Sequence, residues 1–184
     1  MIGAGVLMTQ INQEAIDNIL TRRSIRRFDP SKHVDDVYVK VILECACAAP
    51  SANNYHPWHF MVIDKREILD RMAELHPYGK MLKTAALAIV VCAETEREGK
   101  VIRYWEEDCS AAMQNVLLSA NALGLGSVWL GAKRGDNDLE GRLKSLLNVP
   151  ADIVLMSVAA IGWPLETKDP HKGIDPHSLH RDKW

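Results

Sequence analysis

Two long apolar runs constrain the fold of this 184-residue chain more than any other feature. Residues 87–92 read LAIVVC and residues 153–161 read IVLMSVAAI, so neither run alternates regularly between polar and apolar side chains. A continuous apolar run with β-branched residues indicates a strand that is covered on both faces, so residues 87–92 predict a buried central strand, and residues 153–161 predict a long apolar strand. The sequence therefore predicts a buried central sheet, in a chain long enough to form a substantial hydrophobic core.

Apolar residues at helical spacing predict the elements that surround this sheet. The predicted helices cover residues 11–20, 37–49, 66–75, 106–123 and 139–147, and shorter strands are predicted at 58–63 and 127–130. Pro50 ends the second helix, and the glycines that follow residue 123 end the longest one. Because helices and strands interleave, the pattern indicates a sheet flanked by helices. It leaves open whether the strands run parallel or in both directions.

The two ends of the chain differ from the part between them. Residues 1–10 are apolar but lack a basic start and a convincing cleavage site, so we interpret them as a loose tail rather than a signal peptide. Residues 11–163 are predicted to form one domain. Residues 164–184 contain three prolines and many charges, and they end in Trp184. Such a segment is either disordered or lies along a surface, and the terminal tryptophan favours a surface on a second subunit.

Composition and charge argue against several classes of protein. A net charge of -2 gives no support to a nucleic-acid groove, and no apolar run approaches the ~20 residues that span a bilayer. The four cysteines form no disulfide or zinc pattern, so we expect reduced thiols in a cytoplasmic protein. The pairs His56/His59 and His177/His180 lack a third ligand, which argues against a metal. A hydrolase is disfavoured because the sequence contains no G-x-S-x-G motif.

A basic stretch follows the first predicted helix. Residues 22–28 read RRSIRRF, which brings four guanidinium groups and one hydroxyl into six residues. Arginine offers paired donors that match phosphate oxygens, so this stretch is a candidate phosphate site. A solvated basic turn is an equally good interpretation of these residues when they are considered alone.

Two further stretches combine polar groups with a rigid or glycine-rich backbone. Residues 49–58 read APSANNYHPW, and a polar loop fixed by two prolines suits recognition of a planar ring edge, although an ordinary connecting loop is the alternative. Residues 122–132 read ALGLGSVWLGA, whose glycines permit close backbone approach. Here the G-x-G follows a helix and enters a strand, which is the reverse of a dinucleotide-binding fingerprint.

In order and spacing, these stretches resemble the nitroreductase family. The family pattern of R-R-S-x-R, P-S-x-x-N-x-Q-P-W, G-L-G-[ST]-x-W-[IL]-G and a later G-x-P corresponds to residues 22–26, 50–58, 124–131 and 162–164. The resemblance implies an α+β, three-layer fold whose central sheet is mostly antiparallel or mixed and is flanked by helices. It also implies an obligate homodimer with FMN at the subunit interface, in which an extended C-terminal arm embraces the partner.

The resemblance also implies which residues bind FMN. The phosphate and the ribityl chain are assigned to Arg22 and Ser24, with Arg23 beside them, and the pyrimidine edge of the flavin is assigned to Arg26 and Lys80. The second subunit is expected to contribute the loop residues Pro50, Ser51, Ala52, Asn53 and Asn54. The strand that borders the flavin contributes Trp129, Leu130 and Gly131. In the tail, Gly173 stands where the family has an arginine, so Lys172 is the expected substitute.

An activity follows from the same resemblance. NADH or NADPH is expected to deliver a hydride to flavin N5, after which a nitroaromatic, a quinone or a similar acceptor is reduced in ping-pong order. No side chain is assigned a catalytic role, because the flavin carries the chemistry. His56 stands where the family usually has glutamine. The alternatives are a flavin-binding sensor or carrier, reductive dehalogenation and oxygen-dependent flavin chemistry.

Overall fold

The computed structural model describes residues 11–133 and 138–184. The predicted loose tail at residues 1–10 lies outside the described residues. The α-helices are α1 Gln13–Thr21, α2 Asp36–Cys47, α3 Arg66–Leu75, α4 Trp105–Ala122 and α5 Leu139–Leu147. The strands are β1 Trp58–Ile63, β2 Leu87–Glu94, β3 Glu96–Arg97, β4 Lys100–Val101, β5 Gly126–Gly131 and β6 Ile153–Gly162. Short 3-10 helices lie at Ala52–Asn54, Lys80–Lys83 and Pro176–Ser178.

Four of these strands form a sheet in the order β1, β2, β6, β5, and every neighbouring pair runs antiparallel. Residues 87–92 lie in the central strand β2, as predicted, and residues 153–161 lie in the other central strand, β6. Both faces of β2 are covered, so side chains alternate between two apolar layers. Ala88, Val90 and Cys92 face one layer, whereas Ile89 and Val91 face the other.

Helices cover both faces of this sheet and produce a three-layer α+β fold, which confirms the predicted fold class. On one face, α3 and α5 contribute Leu69 and Leu143 to the core. On the other face, α2 and α4 contribute Ile42 and Met113. All four side chains are completely buried. The helices are therefore held against the sheet mainly by the apolar surface that they remove from water.

The periphery of the sheet differs from the sequence prediction. The sequence of β1 is apolar on both faces, but the strand lies at the sheet edge and exposes His59 and Val62. The strands β3 and β4 form a separate ribbon that apolar periodicity does not predict, because both strands are short and exposed. The turn of this ribbon contains Glu98 and Gly99, both with positive φ, as tight hairpin turns require.

The helix α1 has an apolar side that the described chain does not bury. Ile16, Ile19 and Leu20 are exposed, and no residue of α1 is buried. A polar contact attaches the helix to α4, because the Asn121 Nδ2 donates to the Asn18 backbone carbonyl at 3.0 Å. An uncovered apolar helix face of this kind is typical of a surface that another molecule covers.

The C-terminal segment after β6 runs over the surface of the domain. The His171 N–H donates to the Leu20 carbonyl at 3.1 Å, which attaches the segment to the end of α1. At the terminus, Trp184 is fully exposed and stacks on His180, with ring centroids 4.1 Å apart. The predicted packing of this segment on a second subunit stays a prediction.

Candidate functional site

The outer edge of β5 is the feature around which the candidate site is built. β5 pairs with β6 on one side, and the Ala132 N–H donates to the Met156 carbonyl at 3.0 Å. Backbone groups alternate in direction along an antiparallel strand, so those of Ser127, Trp129 and Gly131 point away from β6. The edge of β5 therefore directs backbone N–H and C=O groups toward whatever lies beside it.

The basic segment after α1 lies along the first half of this edge. Ser24 forms a parallel bridge with Ser127, and the Ile25 N–H donates to the Ser127 carbonyl at 2.9 Å. Successive side chains of an extended segment point to opposite sides. This alternation assigns the side chains of Arg22, Ser24 and Arg26 to one side of the segment. The Arg26 guanidinium lies 3.5 Å from the Ser24 carbonyl oxygen.

Arg23 lies on the opposite side from the Ser24 hydroxyl. Together with Ile25 and Lys168, it lines a pocket of about 200 Å³ near the C-terminal end of α4. Ile25 is buried and packs against Gly126, where a Cβ atom would lie only 2.7 Å from Ile25 Cγ2. The glycine at this position is what allows the basic segment to approach β5.

The far end of β5 is open. Gly131 is exposed, and a Cβ atom on it would have no heavy atom of the described residues within 4 Å apart from those of its chain neighbours. Trp129 is half-buried, whereas the Leu130 side chain is buried in the core and its backbone pairs with Val158 of β6. Leu130 therefore offers no side chain to the edge. A pocket of about 230 Å³, lined in part by Trp129, Gly131 and Lys133, adjoins this end.

One elongated ligand can reach both ends of this edge. Ser127, beside the basic segment, and Gly131 are four residues apart, which corresponds to about 13 Å along a strand. One end supplies guanidinium groups and a hydroxyl, and the other supplies outward backbone groups beside an open space. Such an arrangement can bind a molecule that carries an anionic group at one end and a flat polar ring at the other.

Lys80 is connected to the open end of β5 through a buried histidine. His76 follows α3 and is only 5% exposed. Its Nε2 atom lies 2.9 Å from the Gly131 carbonyl oxygen, and its own carbonyl accepts the Gly79 N–H at 2.9 Å. Lys80 follows this turn directly and is exposed. The structure thus connects two predicted site residues, Lys80 and Gly131, that are far apart in the sequence.

The polar loop after α2 adopts a strained conformation. It contains the 3-10 turn, and Asn53, Asn54 and His56 have positive φ values. This left-handed region is unfavourable for most side chains, and asparagine tolerates it better than others. The Ser51 hydroxyl accepts the His56 N–H at 3.0 Å and closes the loop. Strain of this kind persists only where the surrounding structure holds it.

Two neighbouring elements hold this loop. The Asp108 carboxylate, which is 5% exposed in the first turn of α4, accepts the Ala52 N–H through Oδ1 at 2.9 Å. Arg97 of β3 donates to the Tyr55 carbonyl at 3.0 Å. The second carboxylate oxygen of Asp108 is buried without a hydrogen-bond partner among the described residues. These contacts fix the loop, which includes Pro50, to different elements from those that hold the basic segment.

In the tail, Lys168 contacts the basic segment, which the sequence did not indicate. The Lys168 Nζ donates to the Ser24 carbonyl oxygen at 2.5 Å. Nearby, Glu166 accepts the Arg26 N–H at 2.6 Å, and this hydrogen bond lowers the pKa of the Glu166 carboxyl. Lys172 is exposed, and its role at a phosphate stays a prediction.

The described part of the chain offers neither a metal site nor a reactive buried thiol. Within residues 11–133 and 138–184, no three His, Cys, Asp or Glu side chains are arranged to hold a metal ion. Burial raises the pKa of the Cys92 thiol to about 11 and that of Cys109 to about 12, so both are protonated and unreactive near neutral pH. Across the same residues, no helix is both long and apolar enough to cross a bilayer.

A sequence model of the nitroreductase family matches residues 19–76 and 74–163. The chain belongs to the nitroreductase family. A protein of Archaeoglobus fulgidus, provisionally named NADH dehydrogenase/NAD(P)H nitroreductase, is 42% identical over 175 residues, which cover 94% of this chain and 99% of that protein. A solved structure from Bacteroides thetaiotaomicron with the same provisional name is 35% identical, with a TM-score of 0.85 over 92% of this chain and 98% of that one. The FMN-dependent nitroreductase of Clostridium difficile is 30% identical, with a TM-score of 0.85 over 92% and 99% of the two chains.

Three residues near the candidate site lie outside the sequence motifs of the nitroreductase family. His76, Asp108 and Lys168 act through contacts with residues that are distant in the sequence. The sequence does contain a signal for Asp108. This acidic residue lies four positions before the buried Ala112, and therefore on the apolar face of a helix. No comparable local pattern distinguishes His76 or Lys168. His56, at the usual glutamine position, is exposed and stacks on its neighbour two residues along the chain.

Proposed function

We propose that this nitroreductase-family protein is an FMN-dependent oxidoreductase that takes electrons from NADH or NADPH and passes them to a small acceptor such as a nitroaromatic compound or a quinone. The observation that carries the proposal is the β5 edge, with Arg22 and Ser24 near its start and the open Gly131 at its end. The similarity to the FMN-dependent nitroreductase of Clostridium difficile supports FMN as the ligand. The provisional names of the relatives support NADH or NADPH as the electron donor.

The residues along this edge fit the chemical parts of FMN. Arg22 offers a fork of donors and Ser24 a hydroxyl, which together suit a phosphate. Lys168, whose ammonium group lies at the Ser24 carbonyl, adds a further cation at this end. At the other end, the outward N–H groups of Trp129 and Gly131 suit acceptor atoms on the edge of a ring. Because Gly131 has no side chain, a flat ring can approach the backbone there.

When bound, FMN would supply the chemistry of electron transfer between NADH or NADPH and the second substrate, which we propose to follow ping-pong order. The residues of the chain bind the cofactor and tune it. Arg26 and Lys80 are exposed cations that would stabilise negative charge at the pyrimidine edge. We assign no side chain as a general acid or base.

We further propose that FMN is bound at the interface of a homodimer, where a second copy contributes residues 50–54. The exposed apolar side of α1 supports this assembly, because an uncovered apolar face favours association. The loop itself also supports it, since Asp108 holds the loop in one strained conformation ready for a ligand. The C-terminal segment and its exposed Trp184 would then extend over the second copy.

Two ligands that differ by a phosphate test the assignment of the basic segment. Flavin-stripped protein should bind FMN more tightly than riboflavin, as measured by quenching of flavin fluorescence. Arg22→Ala should weaken FMN binding about tenfold, through loss of a charged hydrogen bond, and should leave riboflavin binding nearly unchanged. Arg27→Ala removes the same charge from the other side of the segment and serves as the matched control. Wild-type protein that does not bind FMN would refute the proposal, and equal losses in the two variants would refute the assigned phosphate position.

Reduction of the bound flavin tests the enzyme assignment separately. Under anaerobic conditions, NADH or NADPH should bleach the flavin absorbance, and a nitroarene or quinone should restore it. A flavin that binds but is not bleached would instead support a sensor or carrier. A panel of acceptors that includes halogenated aromatics and oxygen would distinguish reductive dehalogenation and oxygen-dependent chemistry from nitro or quinone reduction.

A further inference from the structure

His76 has both ring nitrogens engaged inside the protein. Its Nε2 atom lies 2.9 Å from the Gly131 carbonyl oxygen, and its Nδ1 atom lies 3.1 Å from the Tyr78 backbone nitrogen. A backbone N–H can only donate, so Nδ1 accepts, and the ring hydrogen on Nε2 is donated to Gly131. The contacts therefore select one neutral tautomer of a side chain that is almost completely buried.

The acceptor of this hydrogen bond is the residue at the open end of β5. The peptide group between Gly131 and Ala132 is held from both sides. His76 donates to the Gly131 carbonyl, and the Ala132 N–H donates to the Met156 carbonyl at 3.0 Å. The residue before Gly131 is paired with β6. Glycine has no side chain to restrict its backbone rotation, so these bonds on either side determine the direction of the Gly131 N–H.

The same histidine shapes the turn that leads to Lys80. Its carbonyl accepts the Gly79 N–H at 2.9 Å, and a Cβ atom on Gly79 would lie 2.7 Å from the Cβ of His76. The turn is therefore packed directly on the histidine. His76 thus links Gly131 and Lys80, two of the four residues that the proposed function assigns to the flavin ring.

We propose that His76 is a positioning residue for the flavin ring, acting through Gly131 and Lys80 without touching the cofactor. This inference rests on the proposed function, since it requires FMN at the β5 edge. Loss of the Nε2–H donor would free the Gly131 peptide to rotate and would weaken the contacts that favour the electron-rich state of the ring. A side chain that only filled space would leave both the affinity for FMN and its redox potential unchanged.

Two substitutions separate the hydrogen bond from the shape of the ring. His76→Phe keeps a ring of similar shape and removes both bonds, whereas His76→Gln keeps an amide N–H near the position of Nε2. We expect His76→Phe to raise the Kd for FMN about tenfold and to make its midpoint potential more negative, and His76→Gln to recover most of both changes. His33→Phe is the matched control, because that histidine is exposed, and it should leave both values unchanged.

The outcomes distinguish this inference from the proposed function. If wild-type protein binds FMN and His76→Phe has the same affinity and potential, the inference is overturned and the proposed function stands, even if thermal stability falls. If wild-type protein does not bind FMN, the proposed function is overturned. If His76→Phe does not fold, nitrogen NMR of the wild-type protein tests the inference instead. The His76 ring should show the Nε2–H tautomer and shift when FMN is added, and a signal that does not move would overturn the inference.

Discussion

Replacing Gly131 by alanine should move stability and FMN binding in opposite directions. The residue is exposed, an added Cβ would meet no heavy atom within 4 Å among the described residues outside its chain neighbours, and its φ lies outside the left-handed region. Where alanine can adopt the native backbone conformation, it stabilises a protein by about 0.4–1 kcal/mol, because the unfolded chain has less entropy to lose. For a domain of this size, each kcal/mol corresponds to about 2–4 °C in Tm. The flavin-stripped variant should therefore melt about 1–4 °C higher than wild type.

The added methyl group would occupy the open space where the flavin ring is proposed to lie. The methyl group would lie beside the outward Gly131 N–H. The flavin ring would therefore lose at least one hydrogen bond, which contributes about 0.5–1.5 kcal/mol. At about 1.4 kcal/mol per factor of ten, the Kd for FMN should rise about 2- to 12-fold. Fluorescence quenching measures this affinity, and differential scanning calorimetry of the flavin-stripped protein measures Tm.

Gly126→Ala is the matched control in the same strand. A Cβ at this position would lie 2.7 Å from Ile25 Cγ2, so this variant should lose about 1–3 kcal/mol of stability through overpacking. Two results would refute the reasoning about Gly131. A lower Tm for Gly131→Ala would mean that the space beside it is not open. An unchanged Kd for FMN would mean that the ring does not approach it.

Three further predictions concern the loop, the thiols and the assembly. Asp108→Ala should lower the free energy of unfolding in urea by about 1.5–3 kcal/mol, because the Ala52 N–H loses a charged acceptor. Asp108→Asn keeps an acceptor and should lose much less, so equal losses would contradict this role. Near neutral pH, a thiol reagent should label Cys92 and Cys109 only after unfolding, because burial raises both pKa values; labelling of the folded protein would contradict their burial. If the protein forms the proposed homodimer, Ile19→Glu should lower the mass measured by light scattering from dimer to monomer, and an unchanged dimer mass would exclude the apolar side of α1 from the interface.

Most of the fold could be predicted from hydrophobic patterning. The runs at 87–92 and 153–161 are too apolar for a half-exposed strand, and they become β2 and β6 in the middle of the sheet. The predicted helices agree with the observed ones to within two residues at each end, because local periodicity and terminating residues determine those bounds. The ribbon of β3 and β4 could not be predicted in this way, since its turn rather than buried apolar surface defines it.

The candidate site, like the fold, could be predicted from the sequence only in part. Through the family resemblance, the order of the motifs predicted that the basic segment, the polar loop and the end of β5 contribute to one site. The structure brings the basic segment beside β5, and the binding roles of all three stretches stay predictions. The motifs did not indicate that Arg23 faces away from Ser24, because this depends on the bridge between the segment and β5. They also did not indicate that Lys168 contacts the segment, because this depends on the path of the tail.

By itself, the sequence determined the layers of the fold and the stretches from which a site could be formed. Burial patterns and backbone-restricted residues act over a few neighbours, so they are readable locally. Only the tertiary structure decided how these stretches meet. His76 reaches Gly131 across 55 residues, and Asp108 reaches Ala52 across 56. Such contacts leave no periodic trace, because a buried polar side chain is satisfied only where packing brings a distant backbone group within hydrogen-bonding distance.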